Sequence, residues 1–149
     1  MSAGSFAYWS IGELGAAYRR RELSPVEVAK ALIARIESLN SSLNAFLALT
    51  PDRALASARA AETEMMAGRF RGPMHGVPVG VKDLFFMRGI ESRAGSLLYK
   101  DFKPSFDAAV VERLDNAGAV ILGRTHMHEL AFGITNVNPH YGPCRNPWD

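Results

Sequence analysis

The sequence has a single cysteine, Cys144, among 149 residues. This excludes an internal disulfide and fits a reducing compartment, so a cytoplasmic protein is expected. Cys144 lies between Pro143 and Arg145 with no evident base beside it and reads as an inert loop thiol. No apolar run approaches the roughly 20 residues needed to cross a bilayer, and the opening Met-Ser-Ala-Gly-Ser-Phe-Ala-Tyr-Trp-Ser lacks both the basic start and the apolar stretch of a signal peptide. Like charges run no further than Arg19-Arg20-Arg21, and the net charge is +2. The electrostatic footprint of a nucleic-acid binder is therefore missing. Neither G-x-G-x-x-G nor a Gly-Lys-Ser/Thr ending occurs, so Gly118-Ala-Val-Ile-Leu-Gly123 reads as a buried strand and not as a phosphate loop.

What is present is the composition of a soluble globular domain, 48% hydrophobic and 21% charged, with enough apolar side chains for one core. Ser10-Ile-Gly-Glu13 and Ser24-Pro25-Val26-Glu27 both read as capping boxes, the second with proline at the first helical position. Ala29, Leu32, Ile33, Ile36 and Leu39 then recur at helical spacing, which predicts an amphipathic helix ending near Asn40-Ser41-Ser42. A short strand is expected from Asn44 to Thr50. Thr50-Pro51-Asp52 opens an alanine-rich helix through about Met66, stopped at Gly68, and a surface loop covers Arg69 to Gly76.

Gly76-Val-Pro-Val-Gly-Val-Lys82-Asp83 places alternating valines ahead of a lysine, the pattern of a largely buried strand that delivers Lys82 and Asp83 at its end. Gly89 to Ser96 is turn-like. Asp107 is expected to cap a helix through Asn116, closed by Gly118; Ala119 to Leu122 reads as a strand and Thr125 to Phe132 as another helix. Helix, strand and helix in that order argue an α/β layered architecture with strands parallel or nearly so. From Gly133 onward the Asn-Pro and Gly-Pro pairs predict an irregular loop whose Tyr141 and Trp148 rings need something to pack against. The expected partner is a continuation of the same chain.

Taken in order, several pieces resemble the amidase-signature family. Gly76-Val-Pro-Val-Gly-Val-Lys82-Asp83 matches that family's Gly-x-Pro-x-x-x-Lys-Asp strand, and Ala94-Gly95-Ser96 matches the Ala-Gly-Ser that follows. Asp107 to Leu114, Ala117 to Thr125 and Glu129 to Phe132 are similar to the next helix, strand and helix, and Gly142-Pro143 with Arg145 to Asp149 to the lead-in to its glycine- and serine-rich signature. The first 75 residues resemble the family only in style. The resemblance implies an α/β fold with a mixed sheet flanked by helices, incomplete in this chain. A helical region would occupy 1–75 and the first part of the amidase core 76–149, together one incomplete domain. It also implies hydrolysis of carboxylic amides by a nucleophilic serine, a second serine on a cis peptide bond and a lysine, with no cofactor. Of these the chain supplies only Lys82. The alternative is a non-catalytic truncated or split fragment that folds or acts only with a partner. A small-molecule amide is the implied substrate, the missing C-terminal part is the implied partner, and a homo-oligomer is a further expectation. The stretches Thr125 to Gly133 and Asn136 to Gly142 look more like general amidases than like the amidotransferase subunit that works on charged tRNA.

The chemistry explains why such a lysine must be special. With a reference pKa near 10.4, only about one in two thousand lysines is neutral at pH 7, and only the neutral amine accepts a serine proton. Burial behind Val77, Val79 and Val81 is the expected means of favouring it. On spacing alone, Lys82 reads instead as an ordinary strand-end charge paired with Asp83 or another carboxylate. Asp83 itself is expected to be structural, because adjacent strand residues point to opposite faces. His126, His128 and Glu129 invite a metal reading, but on a helix residues two apart sit about 200° round the axis and cannot share an ion; only a strand would permit it.

Overall fold

The structure, a computed structural model, describes residues 6–148. Both capping boxes form. Ser10 starts α1 (Ile11–Arg19) and Ser24 starts α2 (Pro25–Leu43), each with the glutamate three residues on bonded back to the cap backbone. α2 ends where Asn44 enters the left-handed region at φ 51°. The chain continues through β1 (Phe46–Leu49), α3 (Pro51–Met66), β2 (Pro78–Lys82), α4 (Ala109–Asn116) and β3 (Val120–Thr125). Short 3-10 turns occupy Phe6–Tyr8, Leu97–Tyr99 and Glu129–Ala131, and a minimal hairpin joins β4 (Val137–Asn138) to β5 (Gly142–Pro143).

Three strands make the main sheet in the order β1-β3-β2. β2 lies parallel to β3, as the helix-strand-helix order requires, but β1 runs antiparallel to β3, so the sheet is mixed. Helices cover both faces. Ala29 and Ile33 of α2 and Ala54 and Ala58 of α3 pack on Val120 and Leu122, while Val111 of α4 and Met87 pack with Val81 and Ile121 on the other face. A second apolar cluster, Leu14, Tyr18, Val28, Ala61 and Met65, joins α1 to α2 and α3. The alanines of α3 bring helix and sheet close. At Gly123 the approach of β1 is closer still: a Cβ there would lie 2.4 Å from the Ala48 carbonyl oxygen, so no larger residue fits without moving the backbone. β1 and β2 are both edge strands, and Pro78, which has no N–H to offer a neighbour, stands at the start of β2.

Three expectations need correcting. The helix foreseen from Thr125 to Phe132 does not form. β3 instead runs on to Thr125, the His126 N–H bonds the Ala45 carbonyl, and Leu130 and Ala131 sit at φ 52° and 59°, incompatible with a right-handed helix. Asp107 does not cap α4; its Oδ1 accepts from the Arg88 N–H at 2.7 Å, and α4 begins after Ala108 without a side-chain cap. The stretch after Gly133 is not wholly irregular, since β4 and β5 pair antiparallel.

Candidate active site

The β2 strand ends on Lys82, whose register partner on β3 is Thr125. Val81 is buried at the preceding position, yet Lys82 is exposed. The expected largely buried strand is thus not found: within β2 only Val81 is buried, and nothing in these residues covers the strand end on the lysine's side. Lys82 shares an open depression of about 190 Å³ with His126, His128, Gly133, Ile134 and Asn136. A larger one of about 400 Å³ lies among Tyr18, Arg19, Glu62, Met65 and Phe70 at the helical end of the molecule. It contains no residue of the lysine strand, so chemistry and not volume selects the candidate.

Asp83 does not pair with Lys82. It is 2% exposed and accepts from Arg124 Nε at 2.5 Å through Oδ1 and from the Gly95 N–H at 3.2 Å through Oδ2. Arg124 is itself fully buried. Removing either partner would leave an uncompensated charge in the core, which is why Asp83 is structural, as its place after Lys82 suggests. Lys82 takes part in no ion pair among the described residues. The expected pairing of Lys82 with Asp83 or another carboxylate is therefore absent among the described residues, while its exposure is that of a strand-end charge.

The Ala94-Gly95-Ser96 loop connects this pair to the chain after β3. Ala94 and Gly95 adopt φ of 50° and 66°, and a Cβ on Gly95 would come within 3.2 Å of the His128 carbonyl oxygen. The Ala94 N–H bonds the Asp83 carbonyl, and Asn138 Nδ2 donates to the carbonyls of Gly95 at 2.7 Å and Met127 at 3.1 Å. Ser96, wholly buried, donates from Oγ to Glu129 Oε1 at 2.7 Å, and His140 Nε2 donates to the same oxygen at 2.9 Å. Those two hydrogen bonds, Ser96 first, hold the Glu129 carboxyl below its usual range. Ser96 is therefore a structural clasp: its hydroxyl faces a carboxylate and is closed to solvent.

The histidines separate. His126 is 6% exposed, and its Nδ1 lies 3.0 Å from Asn136 Oδ1. A carbonyl oxygen only accepts, so Nδ1 carries a proton, and in the neutral ring Nε2 then presents a lone pair. That Nε2 is buried without a partner, as is Nδ1 of His128. The helical premise against a shared metal is gone, yet Glu129 bonds His140 while His126 bonds Asn136, and among the described residues no three metal-binding side chains converge. Sequence reasoning located Lys82 and Asp83 but missed Arg124, His126 and Asn136 as parts of one neighbourhood. A charged residue directly after the apolar Val120-Ile-Leu-Gly123 was the available signal for Arg124, since a buried cation demands a buried anion.

Comparison with known proteins places this geometry. The amidase family model matches residues 27–149, beginning well before Gly76, so part of the helical region matches as well. A glutamyl-tRNA(Gln) amidotransferase subunit of an Anaeromyxobacter species is 46% identical over 92% of this chain, and its counterpart of the same name in Methylococcus capsulatus is 44% identical over 94%. The preference for general amidases over the amidotransferase subunit draws no support from these relatives. Among solved structures, the native peptide amidase of Stenotrophomonas maltophilia superposes with a TM-score of 0.88 at 34% identity over 97% of this chain. A member of a vestigial complex tied to the origins of an s-triazine catabolic enzyme gives 0.90 at 37% over 94%. The chain spans only 28% of the Anaeromyxobacter relative and 31% of the peptide amidase. With the family model matched from residue 27 through the lysine strand, this chain belongs to the amidase family.

Proposed function

We propose that this chain supplies the lysine limb of an amidase that hydrolyses carboxylic amides with a nucleophilic serine, a bridging serine on a cis peptide bond and Lys82. The observation that carries the reading is that Lys82 stands at the end of β2 with no carboxylate bound to it, while the adjacent Asp83 is occupied by Arg124 and Gly95. A lysine free of a counter-ion can be brought to the neutral form once covered. It would then take the proton that the nucleophile passes through the bridging serine and return it to the leaving amine. Both serines and the oxyanion hole lie outside these residues in this reading. The relatives named for amidotransferase and for peptide amidase leave the substrate open within carboxylic amides. The reducing-compartment composition favours the cytoplasm.

The 149-residue chain alone is expected to turn over no amide. In the full-length amidase containing this segment, Lys82→Ala should lower kcat by about a thousandfold or more, with the fold intact by circular dichroism. Full activity in that variant would end the reading. Turnover by the short chain that Lys82→Ala abolishes would place the nucleophile within these residues after all.

A second reading concerns the short chain itself, as a fragment that is stable only against further protein. Phe132, Ile134 and Trp148 are 91%, 102% and 94% exposed, rings and branches with nothing against them.

A further inference from the structure

Resting on the amidase reading, we infer that His126 is a positioning residue for Lys82: its Nε2 accepts a hydrogen bond from the lysine amine and fixes the direction in which that amine meets the bridging hydroxyl. The tautomer is set by the fold. Asn136 Oδ1 takes the Nδ1 proton at 3.0 Å, and Asn136 is in turn pinned at φ 54° with its carbonyl bonded by the Cys144 N–H. This leaves Nε2 as a buried acceptor without a donor, in a ring that lines the same depression as Lys82. A buried acceptor with no donor is costly, and Lys82, which lines the same depression and is bound to nothing else among the described residues, has N–H groups to give once the depression is covered.

Charge decides what kind of acceptor serves. A carboxylate bonded to Lys82 would favour the ammonium, the form that cannot act as a base, whereas a neutral imidazole takes an N–H without supplying that charge. The surroundings are consistent with such a selection. No carboxylate lines the depression; Asp83 is held by Arg124 and Gly95, and Glu129 by Ser96 and His140. The remaining titratable neighbour is His128, whose ring packs against Gly133 so closely that a Cβ there would lie 2.4 Å from Cε1.

Substitutions in the full-length amidase separate this role from simple packing. His126→Ala should reduce kcat by about ten- to a hundredfold with KM within about twofold, because the interaction orients a proton-transfer group and touches no substrate. His126→Asn, which keeps a neutral polar group, should recover most of that loss. His126→Asp should move the acid limb of the kcat profile upward by about one pH unit, since the new carboxylate favours the lysine ammonium. In the full-length amidase, Lys82→Met should shift the ¹⁵N resonance of His126 Nε2 and leave that of His75 unchanged. If His126→Ala and His126→Asp both leave kcat and its pH profile as they were while Lys82→Ala abolishes turnover, the positioning role is overturned and the amidase reading stands. If Lys82→Ala retains turnover, both fall. An Nε2-protonated His126 in the full-length amidase would also overturn the role.

Discussion

The α2 and α3 layer and the segment after β3 are built on different terms. In the layer, apolar side chains turn inward: Ala29, Ile33, Ala54 and Ala58 close against Val120 and Leu122, and Ser24 with Glu27 satisfies the start of α2 locally. In residues 126–148 the polar groups turn inward instead. Asn138 anchors the backbone, His126 bonds the Asn136 side chain and Glu129 those of Ser96 and His140; Leu130, Ala131 and Asn136 hold positive φ, and Phe132, Ile134 and Trp148 face out. The first region buries its own apolar groups. The second has its shape imposed by hydrogen bonds while, Met127 aside, its large apolar groups remain uncovered, which is how a surface prepared for other protein differs from a core.

Ile33→Ala should have the largest effect, lowering stability by about 2–5 kcal/mol in a denaturant titration because a buried branched side chain leaves a cavity against the sheet. A value below about 1 kcal/mol would show that the layer is loosely packed and dissolve the contrast. Acid should act on the other region. The carboxyl of Glu129 is held below its usual range, so its contribution is complete above the ordinary carboxylate pKa of about 4.3 and is lost as pH falls through the lower folded value. Amide exchange should accordingly rise in 128–141 on acidification before it rises in α2 and α3, and simultaneous loss would mean the two regions are one cooperative unit. Phe132→Ser with Ile134→Ser should have the smallest effect on folding, within about 0.5 kcal/mol. The pair should nonetheless reduce self-association measured by sedimentation, and a large loss of stability would mean that these side chains are packed in solution.

What was legible in the sequence follows the range of the interactions. Ser10 with Glu13 and Ser24 with Glu27 are signals three residues apart, and both helices start where they say. The lysine strand was legible because its valines alternate and its motif has a family pattern. The segment Thr125-His-Met-His-Glu-Leu-Ala contains helix formers behind a capping residue and misled for that reason. Its backbone groups are claimed by Ala45 and Ala94, far away in sequence, and a local reading cannot see such competitors. The same holds for Asp83 with Arg124 and for Ser96 with Glu129 and His140: each residue is ordinary alone and acquires its role only when the fold brings the partner.

Pro78 blunts one free edge of the sheet. A strand adding to β2 would find no donor where β2 begins, and at the far end the Lys82 carbonyl is already taken by the Phe85 N–H. The edge is thus closed at both ends, which discourages another strand from adding beside the lysine.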